Sequence, residues 1–113
     1  MFEYRAKVTR IVDGDTVDFD VDLGFNIHAR IRGRLLHVDT PERGHPDWYK
    51  ATDMLSQLLT KQSIAAGMIV NEGENNQEIF VTIRTHKTGK YGRWLVEIDG
   101  VNSVLAEVWP YVE

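Results

Sequence analysis

Two runs of alternating residues on either side of Gly24-Phe25-Asn26 restrict the fold more than any other feature of this chain. Val17, Phe19, Val21 and Leu23 fall on one parity, and Thr16, Asp18, Asp20 and Asp22 on the other. Past the glycine, Ile27, Ala29, Ile31, Gly33 and Leu35 alternate with His28, Arg30, Arg32 and Arg34. Alternation with period two marks a half-buried strand. The two runs therefore predict an antiparallel hairpin with one apolar face. Its other face sets an aspartate ladder against an arginine ladder, with cross-strand ion pairs each contributing up to ~1 kcal/mol.

The rest of the chain supplies a cover for the apolar face. Residues 6–12 read as a further strand, ended by the tight-turn signal Asp13-Gly14-Asp15. Trp48, Ala51, Met54, Leu55, Leu58 and Leu59 recur at helical spacing and predict a helix over about Asp47 to Lys61. Strands are expected at Met68–Asn71, Ile79–Arg84 and Tyr91–Ile98, and a short closing helix on Val101, Val104, Leu105 and Val108 before Pro110. Five or six short strands with a mid-chain and a C-terminal helix point to an α+β fold, a small five-stranded OB-type β-barrel. With 113 residues the expectation is a single domain, 1–113.

Several classes drop out on composition. No apolar run reaches the ~18–20 residues that cross a bilayer, so no membrane partner is expected. The opening Met1-Phe2-Glu3-Tyr4-Arg5-Ala6-Lys7 has no apolar signal region, which favours a cytoplasmic location. The absence of cysteine excludes disulfides, thiolate metal sites and a cysteine nucleophile. A net charge of −4 argues against coating nucleic acid through bulk positive charge. It leaves room for a local basic cleft, because Arg30 to Arg34 carries three arginines and no acid.

Three segments concentrate polar groups beyond what solvation needs. They are Ile11-Val12-Asp13-Gly14-Asp15-Thr16-Val17, Arg34-Leu35-Leu36-His37-Val38-Asp39-Thr40-Pro41-Glu42 and Gly89-Lys90-Tyr91-Gly92-Arg93. Singly they read as a hairpin turn, a strand leading to a helix entry, and a glycine-rich turn. Together, in this order, they resemble the hallmarks of the staphylococcal nuclease (thermonuclease) family. The resemblance runs from Val8 to about Val104, and His45-Pro46, just past the second motif, is a further similarity of lower weight.

The resemblance implies roles position by position. Asp15 and Asp39 match carboxylate ligands for calcium, with the Thr40 backbone carbonyl as a third protein ligand; an all-oxygen set suits a hard cation. Glu42 matches the general base that takes a proton from the attacking water. Arg34 and Arg93 match the two arginines that grip the phosphate, where a planar guanidinium binds phosphoryl oxygens in bidentate fashion. Lys90 and Tyr91 match positions that contact a neighbouring terminal phosphate, and Tyr111 corresponds to an aromatic against which a base packs. Asp13 belongs to the turn but is placed behind the ligands.

Other polar residues are expected to be structural. Arg30 and Arg32 have carboxylates available at Asp18, Asp20 or Asp22 on the paired strand, which outweighs a basic track for nucleic acid. His28, His37, His45 and His86 lack ligand spacing, which argues against zinc. Trp48 and the methionines read as helix packing. Some positions depart from the family pattern. Gly89 stands where many relatives have an acid, the first hairpin is longer, residues 72–78 look inserted, and no long C-terminal helix follows. A homodimer covering that helix's place is the alternative to a monomer.

The expected function is a calcium-dependent nuclease acting on DNA and RNA with little sequence preference. It would cut the 5′ P–O bond to leave 3′-phosphate and 5′-hydroxyl ends, with single-stranded substrate preferred. The alternative is a catalytically idle OB-fold module that binds nucleic acid. A domain that docks protein partners ranks last, because no apolar surface stripe stands out beyond core needs. Low cytosolic calcium sits awkwardly with a cytoplasmic calcium enzyme. Manganese or magnesium in the site, or a phage or mobile-element source, would relieve that tension.

Overall fold

The computed structural model describes residues 2–65, 67, 78–88 and 93–112. Five strands and two helices follow one another as β1 (Phe2–Asp13), β2 (Thr16–Asp22), β3 (His28–Leu35), α1 (Trp48–Ala65), β4 (Ile79–Thr88), β5 (Trp94–Glu97) and α2 (Asn102–Val108). The strands close into a barrel in the order β1-β2-β3-β5-β4, with β4 returning to β1. Neighbours are antiparallel except β3 and β5, which run parallel. This is the expected α+β barrel of OB type. The strand expected at Met68–Asn71 and the insertion expected over 72–78 fall almost wholly outside the described residues. No described helix is long and apolar enough to cross a membrane.

The hairpin register follows the two ladders. Thr16 pairs with Arg34, Asp18 with Arg32, Asp20 with Arg30 and Asp22 with His28. Arg32 donates through Nε and Nη2 to the two carboxylate oxygens of Asp18 at 2.8 and 3.2 Å. That fork holds the Asp18 carboxyl below its ordinary value and raises the Arg32 guanidinium. Asp20 reaches diagonally to His28 Nδ1 at 3.4 Å instead of to Arg30.

The opposite face feeds the core. Val17, Phe19, Val21 and Leu35 are buried with Ala6, Val81, Ile83 and Val96 from the other strands. At ~1.5–3 kcal/mol per large apolar side chain, these dominate the favourable side of folding. Gly33 lets β3 approach β5, because a Cβ there would lie 2.7 Å from Val96 Cγ2 and 2.9 Å from Phe19 Cε2. β1 is long enough to pair with both β2 and β4, and irregularities between Val8 and Arg10 and between Ile11 and Asp13 bend it between the two.

Helix α1 lies against β1 and β4 through Ala51, Leu55, Leu59 and Ser63, the expected stripe carried one turn further. Its entry is fixed by His45 Nδ1, which accepts from the Asp47 N–H at 3.0 Å. In α2 the buried side chains are Asn102 and Leu105, beside Val101.

Two expectations on burial need correction. Leu23 and Ile27 were placed on the inner face but are 44% and 56% exposed, with Phe25 between them at 97%. The hairpin tip runs beyond Val21, the last core residue of β2, so alternation continues with nothing to cover it. An exposed apolar tip therefore does exist, contrary to the sequence expectation. Val108, expected on the apolar stripe of the last helix, is also exposed, and Trp109 packs on the core instead.

Candidate active site

Three segments meet at one end of the barrel. The first is the turn between β1 and β2, in which Asp15 is nearly buried. Its backbone carbonyl accepts from the Leu35 N–H at 2.8 Å, which ties the turn to the end of β3. Its carboxylate accepts from Thr16 Oγ1 at 2.9 Å through Oδ1 and from the Thr40 N–H at 3.2 Å through Oδ2. The second segment, 36–42, is thereby anchored on the turn. The third is the chain after α2. Asp39 N–H donates to the Trp109 carbonyl, Tyr111 N–H donates to the His37 carbonyl, and Val38 bridges to Pro110. His37 adopts φ +67° to make this bend, an uncommon conformation for a residue with a Cβ.

Gly14 makes the junction possible. A Cβ at Gly14 would lie 2.7 Å from Ala51 Cβ and 3.0 Å from Thr40 Cγ2 and Oγ1. The turn is thus pressed between α1 and the 39–40 segment. Thr40 Oγ1, beside this contact, is buried with no hydrogen-bond partner among the described residues.

Arg34 occupies the centre. Its Nη2 lies 3.6 Å from both Asp15 Oδ2 and Asp39 Oδ1, and its Cζ lies 5.3 Å from the centroid of the Tyr111 ring. Both ionic separations are beyond hydrogen-bond reach. Among the described residues no hydrogen bond comes from the Arg34 guanidinium, although the side chain is only 20% exposed. The guanidinium is thus held by two long ion pairs, and its planar fork has the geometry to bind the paired oxygens of a carboxylate or a phosphate.

The oxygens able to hold a cation here are the carboxylates of Asp15 and Asp39, the Thr40 carbonyl and its unpartnered hydroxyl. All are hard donors, which suits calcium, magnesium or manganese. No three His, Cys, Asp or Glu side chains converge among the described residues. A cation would have to complete its shell with carbonyl oxygen and water.

The remaining expected site residues are placed as follows. Glu42 is exposed on the loop after Pro41 and lines a cavity of about 260 Å³ with Arg10, Val12, Asp13 and Arg43. Arg93 is half-buried immediately before β5, whose Trp94 and Leu95 pair with Gly33 and Arg34. Tyr111 sits beside Arg34, as described. Lys90 and Tyr91, like Gly89, lie outside the described residues.

Two participants escaped the sequence reading. Trp48, taken as packing, donates from its indole Nε1 to Asp13 Oδ1 at 2.9 Å and so braces the turn from α1. Asn102 accepts from the Ile98 N–H at 2.8 Å and donates to the Leu36 and Val96 carbonyls, both at 3.0 Å. It locks the start of the 36–42 segment to β5. The only sequence signal for it was a polar residue beside Val101, at the edge of an apolar stripe.

No family model matches the chain. Among curated proteins, a micrococcal nuclease of Shigella flexneri is 36% identical over 62 residues, which cover 55% of this chain and 33% of that protein. The match thus spans about a third of the relative's length. This partial match and the closed five-stranded barrel fit a staphylococcal nuclease-like family.

Proposed function

We propose that this domain is a metal-dependent nuclease that hydrolyses phosphodiester bonds of DNA and RNA with little sequence preference. The observation that carries the proposal is Arg34, a guanidinium only 20% exposed that lies between Asp15 and Asp39 at 3.6 Å from each and makes no side-chain hydrogen bond among the described residues. Asp15, Asp39 and the Thr40 carbonyl would hold a divalent cation, calcium first and manganese or magnesium as alternatives. Such an ion supplies Lewis-acid polarisation of the phosphate when bound.

The chain's own residues account for the rest. Arg34 holds the non-bridging oxygens and, with Arg93, stabilises the charge that builds on them as water adds. Glu42 takes the proton of the attacking water. The new P–O bond forms as the bond to the 5′ oxygen breaks, and that oxygen takes up a proton from solvent, leaving a 3′-phosphate and a 5′-hydroxyl. Tyr111 keeps the Arg34 plane oriented, and its exposed edge is open to a nucleobase. The name of the Shigella flexneri relative is consistent with this activity.

The test is cleavage of heat-denatured DNA with millimolar calcium, with and without excess chelator, for the wild type and Glu42→Ala. The expected result is chelator-sensitive cleavage that falls ~10²-fold or more in the variant. A folded wild type that cuts nothing with calcium, magnesium or manganese overturns the proposal. It would leave a barrel that binds nucleic acid without cutting it.

A further inference from the structure

Beside the Glu42 cavity lies a second one that no role above uses. It has a volume of about 470 Å³ and is lined by Arg43, Gly44, His45, Pro46, Trp48 and Tyr49. Arg43 lines both cavities, so they are adjacent. The second has the size of a small-ligand site.

Its walls are set in place by contacts already described and a few more. The Arg43 Cζ lies 5.2 Å from the centroid of the Trp48 ring. Trp48 is fixed by its bond to Asp13, and Tyr49 meets it edge-on at 5.0 Å and 78°. Tyr49 is nevertheless 75% exposed, an aromatic held in orientation with its ring open to solvent. The loop between is pinned too. His45 N–H donates to the Glu42 carbonyl and Trp48 N–H to the His45 carbonyl, both at 3.0 Å. Because His45 Nδ1 accepts from the Asp47 amide, the neutral ring carries its proton on Nε2 as a further donor.

An open aromatic face beside a cation and a ring N–H is chemistry for a nucleobase with its phosphate. Stacking is tolerant of sequence because every base has a π face, and it requires a base that is not paired in a duplex. We propose that this cavity is a nucleotide subsite: an unpaired base stacks on Tyr49 while the adjoining phosphate lies against Arg43, on the path toward Glu42. The inference rests on the nuclease reading above and assigns its single-strand selection to Arg43 and Tyr49.

The experiment measures binding of a fluorescent twelve-residue oligothymidylate in the Glu42→Gln background with millimolar calcium, so that the strand is held and not cut. A second ligand of the same length carries abasic spacers throughout. Tyr49→Ala is expected to weaken oligothymidylate binding about tenfold or more, the scale of one lost stack. It should narrow the gap between oligothymidylate and the abasic strand, whereas Tyr49→Phe keeps the gap. Arg43→Ala should lower the slope of log affinity against log salt by about one. Phe25→Ser, at the hairpin tip, serves as the control and should bind like its parent.

Equal loss for both strands in Tyr49→Ala, or no loss for either, overturns the subsite. If wild type cleaves DNA but these variants bind unchanged, the subsite falls and the nuclease reading stands. If wild type never cleaves yet shows the stacking signature, only the nuclease reading falls. If a folded protein neither binds nor cleaves, both fall.

Discussion

The indole of Trp48, the first residue of α1, donates a 2.9 Å hydrogen bond to Asp13, the first residue of the turn that carries Asp15. The turn is therefore held by a helix 35 residues away in sequence. Replacing Asp13 with Ala leaves a half-buried indole N–H without its partner, a loss of about 1–2 kcal/mol. Asp13→Asn keeps an acceptor oxygen in place and should stay within about 0.5 kcal/mol of wild type. Urea unfolding of the pair separates the hydrogen bond from the charge. Equal destabilisation in both would mean that the charge of Asp13, and not its bond to Trp48, stabilises the turn.

Gly14→Ala tests the close approach behind the site. The new methyl group would meet Ala51 Cβ and Thr40 at contacts no side chain normally makes. Overpacking of this kind costs about 1–3 kcal/mol. It would also push Thr40 N–H away from Asp15 Oδ2, so cleavage should fall by more than the unfolded fraction explains. Adding Ala51→Gly removes the nearest clash at about 1 kcal/mol of helix propensity. The double variant should therefore be more stable than the sum of the single losses. Strict additivity would show that the turn relaxes away from α1 without consequence.

Arg34→Lys keeps one positive charge between Asp15 and Asp39 but loses both the planar fork and the stacking on Tyr111. A lysine there is a point charge on a flexible stem. Cleavage should fall ~10²-fold, the scale of a lost transition-state donor, while the thermal midpoint moves little. Tyr111→Leu removes the cation–π contact, worth about 0.5–1 kcal/mol at a partly exposed site, together with the aromatic edge offered to a nucleobase, and should have a smaller effect on rate than Arg34→Lys. A lysine variant with the wild-type rate would remove Arg34 from the chemistry.

The hairpin and its ladders were legible in the sequence because strand parity is a local property. Asp18 and Arg32 fall on one face whatever the register, and burial of Val17 and Phe19 then fixes which face. Parity says nothing about where the core ends, so Leu23 and Ile27 were assigned inward although the barrel stops short of them. The three motif segments were legible as types and in order. The convergence of Asp15, Asp39 and Tyr111 on Arg34 was legible only through resemblance, because it rests on contacts between distant backbone segments: Leu35 and Thr40 amides on Asp15, and the bridges between residues 37–39 and 109–111. Trp48 and Asn102 were not legible as participants. A tryptophan on an apolar stripe shows its ring, not the partner of its N–H, and a buried asparagine is defined by carbonyls from distant strands.

The Asp18–Arg32 fork gives stability a pH dependence on the outer face of the hairpin. Its folded-state carboxyl titrates below the ordinary value of 3.8 because Arg32 hydrogen-bonds the charged form. The contribution is therefore present in full above the unfolded value and is lost as pH falls through the folded one. Asp18→Asn should lower the thermal midpoint at neutral pH, and the gap from wild type should close in strong acid. The pair is partly exposed, so the gap should also shrink at high salt. A gap that persists unchanged in strong acid would assign the loss to packing.

Asn102 makes the sharpest stability test, because one buried side chain satisfies three backbone groups from two segments. Asn102→Ala strands the Ile98 N–H and removes a donor from the Leu36 and Val96 carbonyls. The expected loss is about 2–4 kcal/mol, a large share of the ~5–15 kcal/mol that holds a domain of this size together. Asn102→Asp is the more informative change. It keeps the acceptor for Ile98 but sets a carboxylate against two carbonyl oxygens, so the folded state favours the protonated acid. With its pKa raised on folding, the variant should be most stable in mild acid and lose stability as pH rises toward neutrality. That slope is opposite in sign to the one expected from Asp18. Urea midpoints of the variant across this range decide the matter. Leu36 N–H also donates directly to the Val96 carbonyl at 3.0 Å, so a midpoint independent of pH would mean that the side chain at 102 is not held against the two carbonyls in the variant.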